Sequence, residues 1–227
     1  MKPVASLSNL RARPVSLVLS AILLVMLTAL TATAQDAPPD ISCADPPADR
    51  VQPKNDTVRV ADLTPVKPQP DQAVLKPGLT VRYFYKKTRS LKTIPSESSA
   101  EKGKAGPPIL IIDHQFGRQE VFDSGVNRLV MLRMKGVLHL PETGTYGFRA
   151  LSNDGVRVYL GGQLIISDPR WHSDRCSHPA EVKIDQPGWY EFTLEYFQRK
   201  GTAALRLYWQ PPGTETLSIV PAEAYAH

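Results

Sequence analysis

Between Gly144 and Ser167 the chain alternates apolar and polar side chains in two short runs divided by a polar corner, and this pattern restricts it to β structure. Tyr146, Phe148 and Ala150 share one face of the first run, and Val156, Val158 and Leu160 one face of the second. The break between them is Asn153-Asp154-Gly155. These residue types tolerate left-handed backbone and bond their own main chain, which predicts a tight, polar, solvent-facing turn. Gly161-Gly162 then supplies a two-residue hairpin turn.

The same reading extends in both directions. Further strands are predicted over Leu79 to Tyr85, Leu110 to Asp113, Leu129 to Met134, Gly136 to Leu140, Gln163 to Ser167, Ala180 to Ile184, Tyr190 to Phe197 and Ala203 to Trp209. Amphipathic helical periodicity and internal repeats are both missing. The expectation is one all-β domain over residues 78–222, a size that supports a real core, with a short tail at 223–227. The polar stretch Ile94 to Pro108 reads as a long loop, either filler or an insertion that carries specificity.

Ahead of this domain lie two segments of different character. Lys2, Arg11 and Arg13 precede an apolar run from Val15 to Leu30, and Ala32-Thr33-Ala34 is an A-x-A cleavage signature, so residues 1–34 read as a signal peptide with Gln35 as the mature start. An uncleaved signal anchor is the alternative, because Pro14 to Ala34 carries no charge and is long enough to span a bilayer. Residues 35–77 hold nine of the 21 prolines and no Phe, Trp or Tyr. So little apolar surface predicts a disordered linker, either a spacer or a tail without a task. Without the three basic residues of the signal, 24 Lys and Arg face 22 Asp and Glu, a net charge of +2. No basic block interleaved with aromatics remains to suggest a nucleic-acid partner. The two cysteines, Cys43 and Cys176, would meet an oxidising compartment on export; they either pair, tacking the linker onto the loop near His172, or Cys43 stays free or bonds another chain.

Val137 to Tyr146, the block Gly144 to Ser167, Pro187 to Phe197 and Gly201 to Gly213 follow one another in an order that resembles the amino-terminal domain family of anthrax protective antigen, the PA-fourteen domain. The resemblance covers about residues 78–222 and implies a β-sandwich or barrel that binds a glycan or glycoconjugate. In glycan-binding members such as yeast flocculins and epithelial adhesins, two adjacent aspartates at the corner hold calcium, which coordinates vicinal sugar hydroxyls. Here those positions are Asn153 and Asp154, followed by Gly155; the asparagine keeps a carbonyl ligand for Ca²⁺ but loses a charge. The plainer reading is that Asp154 bonds backbone amides to shape the turn.

A second candidate region is the loop Ser167 to His178, with Asp168, Trp171, His172 and Asp174 as possible ligand contacts. Trp171 either stacks on a sugar ring or covers the rim of the sandwich. Asp168, His172, Asp174, Cys176 and His178 have spacing unlike the common zinc patterns. Asp113-His114 and the scattered serines form no nucleophile arrangement, and neither a paired-carboxylate nor an H-E-x-x-H signature is present. The sequence therefore points to a non-catalytic exported module that is periplasmic, secreted or on the cell surface. Its expected partner is a glycan, with calcium as the cofactor that the resemblance implies; the alternative is an envelope protein bound by a module that has lost sugar binding.

Overall fold

The computed structural model describes residues 42–53 and 56–227. The signal peptide and the first residues of the expected linker lie outside the described residues. Two seven-stranded sheets pack face to face. The first is built from β1 (Val58–Val60), β10 (Ala180–Ile184), β6 (Gly144–Asn153), β12 (Ala203–Gln210) and β13 (Ser218–Ile219) in that order, with β4 (Asp113–Gly117) also on β12 and β9 (Arg175–Cys176) also on β6. The second runs β3 (Lys104–Ile109), β2 (Leu79–Tyr85), β5 (Val130–Leu140), β11 (Gly188–Gln198), β7 (Val156–Leu160), β8 (Gln163–Asp168), with β14 (Tyr225–Ala226) on β5. Every pairing is antiparallel except β1 with β10. Among the described residues the only helices are three short 3₁₀ turns, and none is long and apolar enough to cross a membrane.

The alternation read from the sequence becomes the core. Tyr146, Phe148, Ala150, Val156, Val158 and Leu160 all face the space between the sheets, joined there by Phe192, Leu207 and Trp209. The outer faces are not left bare. Leu151, Ala204 and Tyr208 pack under the Cys43–Cys176 disulfide, and Phe84, Met131 and Phe197 pack under Leu91. The Gly161-Gly162 hairpin joins β7 to β8 as expected, with φ of +54° and +78° at the two glycines, the left-handed pair such a turn needs.

The stretch expected to be a linker is a correction. Over its described residues it lies along the sandwich: Cys43 is bonded to Cys176, Val51 bridges Cys176, β1 extends the first sheet, Leu63 enters the core, and Gln69 accepts the Trp189 backbone N–H at 2.7 Å. Proline-rich sequence without aromatics cannot build its own core, but it can be held on a neighbour's surface by backbone bonds and one disulfide. The short C-terminal tail is likewise folded. Tyr225 is buried on β5, and Lys76 and His227 exchange two backbone hydrogen bonds of 2.9 Å.

Two strand assignments also change. The expected strands at 129–134 and 136–140 are one continuous β5, because Gly136 marks a close approach and not a break: a Cβ there would lie 2.3 Å from the Ala226 carbonyl oxygen. The polar stretch 94–108 contains the start of β3, whose Lys-Ala-Gly-Pro-Pro-Ile sequence is tolerated only at a sheet edge. Residues 110–112, expected as a strand, instead connect β3 to β4.

Candidate functional site

Three connections cross from one sheet to the other at the same end of the sandwich. Residues 154–155 join β6 to β7, residues 169–174 join β8 to β9, and residues 199–202 join β11 to β12. Asn153, Asp154, Gly155, Asp168, Trp171, His172 and Asp174 are brought together here, together with Arg199 and Thr202, which carried no sequence signal.

The corner itself is buried, contrary to the solvent-facing turn expected. Asp154 is only 4% exposed, and Asn153 is similarly enclosed. Neither residue has left-handed φ, and the peptide between them is cis. Gly155 is also not left-handed; its requirement is space, since a Cβ would meet Phe197 Cε1 at 2.7 Å and the carbonyl oxygens of Asp168 and Arg170 at 2.8 Å.

Both side chains of the pair knit the three crossings together. Asp154 Oδ1 accepts the His172 backbone N–H at 3.2 Å, and Oδ2 accepts that of Arg199 at 2.8 Å. Asn153 donates its amide to Asp174 Oδ1 at 2.5 Å and to Thr202 Oγ1 at 3.3 Å. Its own carbonyl accepts the Tyr196 hydroxyl, whose pKa burial drives well above the usual phenol value. Burial pushes the Asp154 carboxyl up to about 6, against the opposing pull of the backbone N–H groups of Arg199 and His172.

The 169–174 loop is braced from within. Asp168 is buried and receives Arg175 through two hydrogen bonds of 2.8 and 2.6 Å, so its carboxylate is already engaged. His172 is buried and turns Nδ1 to the Ser173 carbonyl at 2.7 Å. Its Nε2 lies 3.2 Å from Asp168 Oδ2, but without the alignment of a hydrogen bond. Burial lowers the imidazole pKa, against the opposing pull of Asp168 and the Ser173 carbonyl, and so disfavours the charged ring. Trp171 is the exception: its side chain is 53% exposed, with the Arg199 guanidinium 5.6 Å from the ring centroid. Its backbone N–H donates to the Arg89 carbonyl at 3.1 Å, which fixes the loop from the other side.

Oxygen donors suit a hard calcium ion, and Asn153, Asp154 and Asp174 carry them. As placed, these groups bond the protein itself: both Asp154 oxygens hold backbone N–H groups, and Asp174 Oδ1 holds the Asn153 amide. Among the described residues no set of three or more His, Cys, Asp or Glu is arranged to hold a metal ion. This arrangement does not fit a resident calcium ion. Zinc is left without a thiolate, because Cys176 is in the disulfide.

A sandwich whose corner residues join three sheet crossings is matched by sequence as well. Residues 75–222 match the PA14 domain. The chain belongs to the PA14 domain family. The anti-sigma-I factor RsgI3 of Acetivibrio thermocellus is 25% identical over 95 residues, which are 41% of this chain and 14% of that protein. This chain therefore spans only a small part of the curated relative it matches. Among solved structures, the PA14 domain of the MpAFP antifreeze protein superposes with a TM-score of 0.55 at 14% identity, over 72% of this chain and 96% of that one. The epithelial adhesin 6 A domain from Candida glabrata, solved with Galb1-3GlcNAc, gives 0.52 at 12% identity, over 73% and 93%. At these identities the likeness extends to the PA14 fold.

Proposed function

We propose that this PA14 domain is an exported, non-catalytic carbohydrate-binding module that takes a glycan or glycoconjugate at the end of the sandwich where the three crossings meet. The observation that carries the reading is Trp171. A large indole exposed to water on a loop braced by Asp154, Asp168 and Arg89 is a rigid apolar platform of the kind that stacks on the C–H face of a sugar, with its N–H free to bond a hydroxyl. The adhesin with the same fold was solved with a galactoside, which supports the class of ligand. Export to a periplasmic, secreted or cell-surface location is supported by the Cys43–Cys176 disulfide, a bond of oxidising compartments.

Asn153, Asp154, Gly155, Asp168, His172 and Asp174 serve this reading by holding the platform; Trp171 is the one that touches the sugar. A second reading, a module that binds another envelope protein, is favoured by the similarity to an anti-sigma factor and by the carboxylate missing at Asn153. A glycan array probed with the purified protein, once in calcium and once in chelator, tests the choice. Glycan binding that survives chelation supports the platform, binding that needs calcium assigns the ion a part, and an empty array in both buffers favours the protein-binding module.

A further inference from the structure

A second concave surface opens on the same end of the sandwich as Trp171. Tyr85 closes β2 and pairs with Val130 at the start of β5, and Val130 pairs in turn with Gln198 at the end of β11. Arg199, which lies over the Trp171 ring, follows Gln198 directly. Two strand spacings of about 4.8 Å therefore put the Tyr85 position on the order of 10 Å from the Gln198 position.

This cleft, about 690 Å³, is lined by Tyr85, Lys86, Lys87, Arg118, Glu120 and Arg128, with Leu129 beside them. Four cations thus face one carboxylate, and Glu120 is already engaged with the Gly125 backbone N–H. Lys86, Lys87, Arg118 and Arg128 are all exposed, and among the described residues none of them lies in an ion pair with a carboxylate. Other basic residues at this end reinforce the field: Arg89, Arg170 and Lys200 are exposed as well. The chain's excess of positive charge is small, so this concentration is a local arrangement and not a reflection of composition.

The cleft has an apolar side too. Tyr85 is 48% exposed and Leu129 38%, and the Tyr85 hydroxyl donates to the Ser124 carbonyl at 2.7 Å, which holds the ring in place across the cleft. A fixed, half-exposed ring set among unpaired cations matches a sugar that carries negative charge: the ring takes the C–H face, and the cations take carboxylate, sulfate or phosphate groups.

We propose that this cleft is a second subsite for an acidic polysaccharide, whose chain runs from Tyr85 to Trp171 with its anionic groups on Lys86, Lys87, Arg118 and Arg128. The proposal rests on the glycan reading above and adds the charge of the ligand to it. Two separate aromatic platforms at one end of the sandwich would favour a polymer over a monosaccharide.

The test compares polymers that share one backbone. Neutral dextran, carboxymethyl dextran and dextran sulfate are immobilised, and binding of the full chain is followed by biolayer interferometry at low and high salt. The anionic polymers should bind, the neutral one should bind at least tenfold more weakly, and added salt should weaken the interaction as it screens the cleft. Carboxymethyl dextran and dextran sulfate separate carboxylate from sulfate recognition, and either one binding supports the subsite. The double variants Lys86→Gln with Lys87→Gln, and Arg118→Gln with Arg128→Gln, should each lose about tenfold in affinity with an unchanged melting temperature. Tyr85→Ala should weaken the anionic polymer further at high salt, where the charges are screened. Duplex DNA binding as tightly as the anionic dextrans would overturn the proposal, as would charge variants that bind the polymers like wild type. If neutral glycans bind through Trp171 while these variants have no effect, the acidic subsite falls and the glycan reading stands. If no glycan binds in any format, both fall.

Discussion

Asn153 donates its side-chain amide to Asp174 Oδ1 at 2.5 Å inside the end of the sandwich, so an uncharged residue faces a buried carboxylate. Replacing that amide with a second carboxylate sets two negative charges in contact where solvent cannot screen them. Asn153→Asp is therefore expected to lower stability by roughly 1–3 kcal/mol in chelator, and calcium is expected to restore it by bridging the pair. Melting curves with and without calcium read both effects. A variant that melts like wild type and ignores calcium would show that Asp174 does not depend on the Asn153 amide.

Gly155→Ala should be among the most damaging single-methyl changes in the domain. Two of the three atoms that its Cβ would meet are backbone carbonyl oxygens, at 2.8 Å, and they cannot rotate away. An expected loss of about 1–3 kcal/mol, measured by denaturant unfolding, follows from overpacking. A neutral result would mean that the 169–174 loop yields easily, and the rigid platform would lose its support.

The disulfide and the packed segment ahead of β2 make a joint expectation for proteolysis. Cys43 and Cys176 close a separation of 133 residues, so Cys176→Ser should cost about 2–5 kcal/mol and free the segment before Gly78. In wild type, limited proteolysis without reductant should leave a fragment that still contains Cys43. A core starting near Gly78 under those conditions would show instead that the segment is loose.

Two groups at the site oppose each other in acid. Asp154 has its carboxyl raised to about 6, so it favours the folded protein most below its unfolded value near 4, and that contribution is lost as pH rises through about 6. His172 has its imidazole lowered by burial, so its contribution is present above its unfolded value of about 6.5 and is lost as pH falls through the lowered one. Removing one exposes the other. Between pH 6.5 and 4.5, relative to wild type, His172→Gln should gain stability on acidification and Asp154→Asn should lose it. Parallel profiles of melting temperature against pH for all three proteins would contradict both assignments.

The strands legible in the sequence are those with a dry face and a wet one. Val156 to Leu160 and Ala180 to Ile184 keep their expected bounds because each buries alternate residues against the opposite sheet. β3 was hidden by its prolines and β14 by its length of two residues; neighbours make both of them strands. At the candidate site the sequence locates the corner and the loop but not their burial. Asn, Asp and Gly mark an exposed turn when only local propensity counts, whereas here Arg199 and His172, distant in sequence, supply the backbone donors that allow Asp154 to be enclosed. The basic cleft has no local signature, since Lys86 and Arg128 meet through the pairing of β2 with β5, and Arg118, which follows β4, is tied to this loop by the Asn127 side-chain amide on its carbonyl.

Trp171 is the only one of the three tryptophans exposed to water, since Trp189 and Trp209 are buried at 8% and 9%. Intrinsic fluorescence therefore reports on the proposed platform directly. Titrating a glycan identified on the array into wild type should quench or blue-shift the emission with a saturable curve, and Trp171→Phe should lose that change while keeping the wild-type melting temperature. A saturable glycan response that persists unchanged in Trp171→Phe, or an array-positive glycan that leaves the wild-type emission untouched, would contradict the assignment of Trp171 as the sugar platform.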